Sequence, residues 1–370
     1  MESVVALLQT LVKTPSVNPD GDPGVSPDGE KAVALVISAF LEPLGFEVTL
    51  EEVEPGRPNL IARAPGPANR PRIMLAPHLD TVGISGMTID PFAAHISDGK
   101  VHGRGTSDTK GPMAAMLWGL RENAARLASL PVAVDFVAFM GEESSQPGSR
   151  HFASRYASDY QFAIAGEPTS LKAVYCTKGS LWATLQAKGR STHASQPHLG
   201  ENAILKLMGG LRDLYRSLPP ILASTEHPVL GSSTINLGVI NGGTVANIVP
   251  NQASAQIDIR TVPGLVKDRP ALEILKEHLG ELEIIKANES PPMEMPVDHP
   301  WLQRLQKIIP GLALTGAPWF SDASHLAAAG IPSICLGPGS IDQAHTADEF
   351  ISIADLETGA RWFTKMIAGL

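Results

Sequence analysis

Two adjacent acids, Glu142-Glu143, stand just past Gly141 at the end of the apolar run 132–140. A run this apolar reads as a buried strand of an α/β sheet, and such sheets keep their chemistry outside the strands' carboxyl ends. Successive side chains diverge there, so one acid can act as a general base while its neighbour holds a metal. A solvated pair of strand-end acids is the plainer alternative. His78-Leu79-Asp80 closes a second apolar run, 73–76. In extended backbone residues i and i+2 share a side, which sets an imidazole beside a carboxylate able to orient it on a metal. A turn histidine next to a capping aspartate would give the same triplet.

Three more candidates lie at comparable places. Asp108 ends the glycine-rich approach 103–107 and precedes Pro112 and the helical stripe Met113, Met116, Leu117, Leu120, Ala124 and Leu127. It is a ligand or a helix cap. No phosphate loop is present here, because Lys110 precedes Gly111 and no Ser or Thr follows the lysine. Glu167 follows the apolar run 162–166, and His345 ends a glycine-rich stretch after the run 333–336. Acids at several sheet ends repel one another unless a cation sits among them. Together His78, Asp108, Glu143, Glu167 and His345 supply two imidazoles and three carboxylates. That inventory suits a dinuclear hydrolase: each ion takes one histidine and one terminal carboxylate, and the remaining carboxylate bridges. Glu142 and Asp80 are left as general base and orienting partner. Nitrogen and oxygen ligands without thiolate favour two zinc ions, with cobalt or manganese also fitting.

The elements that must position these residues follow from periodicity. An amphipathic helix is expected at 2–13 and a second one carrying Val33, Val36, Ile37, Phe40 and Leu41, then strands at 46–51, 59–64 and 72–76. From 176 to 288 the pattern changes: strand 181–188, helix 201–216, strands 232–240 and 253–261, helix 268–279 and strand 282–286. This β-α-β-β-α-β order is that of the ferredoxin-like split βαβ unit. Residues 176–288 therefore read as an insertion into an α/β domain formed by 1–175 and 289–370, with the proline-rich stretch 289–296 as the return.

Composition narrows the function classes. At 370 residues two domains are the default expectation. A formal charge of −9 argues against partnership with nucleic acid or an anionic membrane, and no apolar run nears the roughly 18 residues of a membrane span. The N-terminus carries a helical stripe and lacks the basic region and cleavage site of a signal peptide. Cys176 and Cys335 are the only cysteines, far apart and strand-like, which points to free thiols and a cytoplasmic protein.

Along its whole length the chain resembles the zinc-dependent aminoacylase / acetylornithine deacetylase / succinyl-diaminopimelate desuccinylase / glutamate carboxypeptidase family. The resemblance rests on His78-Leu-Asp80-Thr-Val, Gly103-Arg-Gly-Thr-Ser-Asp108-Thr-Lys-Gly, Gly141-Glu-Glu143 and Gly166-Glu-Pro-Thr-Ser170. In the insertion it rests on Gly189-x-Ser-x-His193-x-Ser-x-Pro, Asn236-Leu-Gly-x-Ile-x-Gly-Gly243, Asn247-x-x-Pro250 and Asp258-Ile-Arg260-x-x-Pro-Gly264. It implies an α/β fold: a mixed-sheet α/β/α zinc-hydrolase catalytic domain with an inserted ferredoxin-like α+β lid and dimerisation domain. By resemblance, His78, bridging Asp108 and Glu167 hold one metal, and Glu143, Asp108 and His345 the other. Glu142 is then the general base, Asp80 orients His78, and the peptide after Asp108 is cis. His193 would polarise the substrate carbonyl, often across a homodimer interface, while Arg260 and Asn247 would bind the substrate α-carboxylate. A guanidinium suits a bidentate grip on carboxylate, although Arg260 also reads as an exposed sheet arginine.

The stretches 166–171 and 336–345 look closest to the acetylornithine deacetylase branch, which implies N-acetyl-ornithine as substrate. Succinyl-diaminopimelate, another N-acyl amino acid or a dipeptide are the alternatives. His102 and Gln146-Pro147 depart from the family pattern, and Ser321-Asp322-Ala323 resembles the desuccinylase branch. A non-catalytic binding homologue would be expected to lose Glu142 or a ligand, and this chain keeps them all. His95, His151, His198, His227, His278, His299 and His325 carry no expected role.

Overall fold

In the computed structural model, which describes residues 2–26 and 28–370, the chain divides into two compact units. The first contains Met1–Tyr175, Met295–Thr315 and Ser321–Leu370, and the second Cys176–Glu294 with Gly316–Phe320. The second unit thus runs six residues past the expected end at 288 and takes in a short segment from further on.

The first unit is organised by a mixed sheet. Its main strands are β1 (Glu47–Glu54), β2 (Arg57–Arg63), β3 (Arg72–Pro77), β4 (Ala133–Ala138), β5 (Tyr160–Gly166), β6 (Ala173–Thr177) and the short strand Ser333–Cys335. The order is β1-β2-β4-β3-β5, then Ser333–Cys335, then β6. The central run β4-β3-β5 and Ser333–Cys335 is parallel, and the flanking pairs are antiparallel. All six residues of β4 are buried, as expected of a strand covered on both faces.

Alternation assigns the two faces. Ile73, Leu75, Val134, Phe136, Phe162 and Ile164 pack with apolar residues of helices α1 (Val4–Val12), α2 (Gly29–Leu41), α3 (Lys110–Glu122) and the C-terminal helix Ile353–Ala368. Met74, Ala76, Val137 and Phe139 face the other way, against Phe152 of α4 (Pro147–Tyr156) and Leu326 of the helix Ala323–Ala328. The result is the α/β/α layering expected from the sequence. Each such Phe, Leu or Val contributes about 1.5–3 kcal/mol by burial, enough to hold the strand ends in fixed register.

The second unit is a four-stranded antiparallel sheet of β7 (Gly179–Lys188), β8 (Thr234–Gly242), β9 (Gln252–Thr261) and β10 (Glu283–Ser290), ordered β10-β7-β9-β8. With α5 (Ala203–Leu222) and α6 (Ala271–Lys276) between them, the strands trace the ferredoxin-like arrangement. Leu181, Leu185, Ile257 and Ile259 pack on Leu207, Leu211, Leu214 and Leu218 of α5. That stripe extends to Leu222, and α5 outruns the expected 201–216 despite Pro219 and Pro220 near its end. Buried leucines outweigh the broken hydrogen bonds there.

Candidate metal centre

Strand β3 delivers the histidine triplet. Leu79 is buried in the core, while His78 and Asp80 lie on the opposite side, also buried. His78 Nδ1 is 3.0 Å from the backbone oxygen of Asp80 and 3.4 Å from its Oδ1. The main hydrogen bond orienting His78 therefore goes to the backbone of Asp80, with the carboxylate as ion-pair neighbour. This arrangement leaves Nε2 as the presented nitrogen, 3.1 Å from Asp108 Oδ1.

The freed Asp80 carboxylate does something spacing does not reveal. Its Oδ1 accepts the backbone N–H of Glu142 at 3.1 Å, and its Oδ2 accepts that of Glu143 at 3.1 Å and Asn18 Nδ2 at 2.8 Å. Gly141 makes the turn that allows this, with φ +74° and Pro147 so close that a Cβ would meet it at 2.8 Å. The two acids then diverge. Glu142 Oε1 accepts Gln146 Nε2 at 3.1 Å. Glu143 accepts Val82 N–H at 3.1 Å through Oε1, and its Oε2 lies 3.1 Å from His345 Nε2.

Asp108 sits between the imidazoles. Its Oδ1 faces His78, and its Oδ2 lies 3.3 Å from His345 Nε2. His78, Asp108 and Glu143 each offer a ligand atom within 4.8 Å of the others. The Asp108–Thr109 peptide is cis, and Thr109 Oγ1 donates to the carbonyl of Gly166, at the end of β5 beside Glu167. The Asp108 loop is clamped by Glu349, which is fully buried. Glu349 Oε1 accepts Ser107 N–H and Asp108 N–H at 2.8 and 3.1 Å, and Oε2 accepts Gly105 N–H and Arg104 Nη1 at 3.0 and 2.8 Å.

Electrostatics describe a site short of positive charge. Burial, reinforced by neighbouring acids, pushes Glu142 and Glu167 well above the usual carboxylate range and Glu143 up to about 7. Burial also raises Asp322, beside the cluster, to about 7. Burial alone would lower His78, but hydrogen bonds to Asp108 and Asp80 outweigh it and hold the imidazole well above its usual value. His345 rises to about 10 through the same kind of bonds to Asp108 and Glu143. Asp108 resists its own burial because both histidines bond to it, and it stays far below the usual range. Glu142, Glu143, Glu167, Asp108 and Asp322 thus crowd around only two imidazoles. Divalent metal would take the protons' place, and the donor set around His78, Asp108 and Glu143 fits it.

The remaining expected residues lie in the second unit. His193 is exposed, with Nδ1 2.7 Å from Ser195 Oγ, and bridges to Ile248; the carbonyl of Asn247 accepts Ala194 N–H at 3.0 Å. His193 and Asn247 are therefore brought together on adjoining loops. Arg260, on β9, is held by Asp258 Oδ2 at 2.9 and 3.1 Å and lies 5.2 Å from the ring centre of Phe320. Sequence reasoning missed Glu349, Asn18 and the buried His325, whose partners are remote in the chain.

Acids and imidazoles gathered at the strand ends of an α/β/α sheet, in a chain with a ferredoxin-like insertion, define a metal-dependent hydrolase. Peptidase family M20/M25/M40 is matched over residues 74–369, and the chain belongs to that family. Acetylornithine deacetylase of Proteus mirabilis is 31% identical over 96% of this chain and 94% of its own, and that of Vibrio vulnificus 32% over 95% and 94%. Among solved structures, an M20 family metallo-carboxypeptidase from Sulfolobus solfataricus superposes with a TM-score of 0.81 at 20% identity, over 99% of both chains. A dinuclear metal binding peptidase of the same family from Bacillus subtilis gives 0.66 at 16%, over 98% of this chain and 96% of that one.

Proposed function

We propose that this enzyme hydrolyses the amide bond of an N-acyl amino acid, and that N-acetyl-ornithine, yielding ornithine and acetate, is its substrate. The observation that carries the reading is Asp108 with one imidazole on each carboxylate oxygen and the Glu142-Glu143 pair beside it. The curated relatives named acetylornithine deacetylase, similar over nearly their full length, support the choice of acyl amino acid.

His78, Asp108 and Glu167 would hold one ion, and Glu143, Asp108 and His345 the other, with zinc favoured by the donor chemistry. When bound, the ions supply Lewis acidity toward the amide carbonyl and acidify the attacking water. Glu142 takes the proton of that water as it attacks the carbonyl carbon, and returns it to the amine nitrogen as the amide C–N bond breaks. Burial raises the basicity of Glu142, which suits a proton acceptor working near neutrality. Asp80 holds the backbone of both acids, so base and ligand keep a fixed separation.

In the second unit His193 would donate to the oxyanion of the tetrahedral intermediate, and Arg260 and Asn247 would bind the substrate α-carboxylate. Nε and Nη2 of Arg260 both donate to Oδ2 of Asp258, which fixes the direction of the guanidinium on its strand. A homodimer through this unit is supported by the exposed edge strand β8, where Leu237, Val239 and Ile240 are 38%, 41% and 53% accessible. Buried free Cys176 and Cys335 are consistent with the cytoplasm, and ornithine as product with a place in arginine biosynthesis.

The test is a panel assay on zinc-reconstituted protein: N-acetyl-ornithine, N-succinyl-diaminopimelate, other N-acyl amino acids and dipeptides. Highest kcat/KM on N-acetyl-ornithine supports the reading. Preference for the succinyl substrate moves the enzyme to the desuccinylase branch that Ser321-Asp322-Ala323 resembles. No hydrolysis across the panel with metal bound leaves a binding homologue.

A further inference from the structure

Gln146 follows the acid pair and stands immediately before α4, in the position where a helix usually carries a capping side chain. It does not cap: its side chain makes no bond to the helix end, its backbone is left-handed (φ 54°, ψ 42°), and it is fully buried. Such a backbone favours Gly or Asn, so a buried glutamine there is set by what its side chain touches. Nε2 donates to Glu142 Oε1 at 3.1 Å, and Oε1 lies 3.1 Å from Nε2 of His325. Arg150 Nε approaches the same ring nitrogen at 3.3 Å. As a donor it competes for that nitrogen, and the tautomer with hydrogen on Nε2 gives the bond to Gln146. Burial first, then Arg150, lowers His325 to about 3, so the ring is neutral near pH 7.

We propose that Gln146 is a positioning residue for Glu142. Its carboxamide, fixed in turn by His325, occupies Oε1 of the carboxylate and leaves Oε2 as the oxygen that exchanges the proton with water and amine. The inference rests on the proposed role of Glu142 as general base. It also gives a role to His325, and to the departure from the family pattern at Gln146.

The discriminating variant is Gln146→Asn. Asparagine suits a left-handed backbone and keeps a carboxamide, but falls one methylene short of Glu142. Melting temperature, zinc content and KM are expected to stay at wild-type values while kcat falls about tenfold or more. His325→Leu should lower kcat less, by about threefold, and should add nothing in the Gln146→Asn background, because it acts through Gln146. Gln146→Gly, which also suits the left-handed backbone and removes the carboxamide, provides the same comparison if Gln146→Asn does not fold. Wild-type kcat in Gln146→Asn, or losses that simply multiply in the double variant, overturn the positioning role alone. Wild-type protein inert with zinc bound overturns the reading of Glu142, and this inference with it.

Discussion

Asp80 Oδ1 accepts the backbone N–H of Glu142 at 3.1 Å, while Oδ2 accepts that of Glu143. The residue expected only to orient a histidine therefore also fixes the peptide backbone of the acid pair. Asp80→Asn turns one acceptor into an NH2 group facing an N–H donor in a buried site. Zinc affinity should drop about 10- to 100-fold, with a parallel loss of kcat, read by competitive chelator titration and steady-state rates. Unchanged affinity would show that the acid pair holds itself in place.

Glu349 and Arg104 form a buried ion pair at 2.8 Å, and the same carboxylate takes three backbone N–H groups of the Asp108 loop. Glu349→Gln leaves the guanidinium without its counter-charge. A destabilisation of about 3 kcal/mol or more in urea unfolding is expected, the usual result of breaking a buried pair from one side. A change below about 1 kcal/mol would mean that the backbone bonds alone hold the loop.

Arg260→Ala should raise KM by at least about tenfold with a smaller effect on kcat, since the fork is assigned to ground-state binding of the α-carboxylate. Steady-state kinetics on N-acetyl-ornithine decide this. An unchanged KM would reduce Arg260 to the structural partner of Asp258.

The metal-free protein should lose stability as pH rises through neutrality. Glu142, Glu143 and Glu167 have folded pKa values raised above the unfolded 4.5, Glu143 to about 7. Their contribution is complete below about pH 4.5 and is lost as pH climbs through the folded values. His78 and His345 are raised above 6.5, so their contribution is present below that value and lost on the way up, for His345 through about 10. Asp80 and Asp108, held low, matter only below about pH 4. Zinc replaces the protons, so the melting-temperature gain on adding it should grow between about pH 5.5 and about pH 7.5. A gain that shrinks over this range would contradict ionised carboxylates as the ligands.

Much of the candidate site was legible because each main residue carries a local mark. Glu142-Glu143 and Glu167 follow apolar runs that end in glycine, His78 and Asp80 share one side of a strand, and Asp108 precedes a helix with Pro112. Glu349 carries no such mark: Arg104 is 245 positions away, and its other partners are backbone amides. His325 is invisible for the same reason, 179 positions from Gln146. The Arg260–Asp258 pair was within reach, since i and i+2 share a strand face, but a strand pattern does not say which acid an arginine will grip. The fold followed periodicity closely, with boundaries that shifted: α6 is shorter than the expected 268–279, the second unit ends later than 288, and the end of α5 lies where prolines argued for a stop and buried leucines prevailed.

The most direct test of the account compares wild-type and Glu142→Gln proteins, both analysed for bound zinc, in hydrolysis of N-acetyl-ornithine. The account predicts two zinc ions per chain in each protein and a kcat lower by about 100-fold or more in the variant, because only the proton acceptor has been removed. Near-normal turnover in a variant that holds both ions would contradict it.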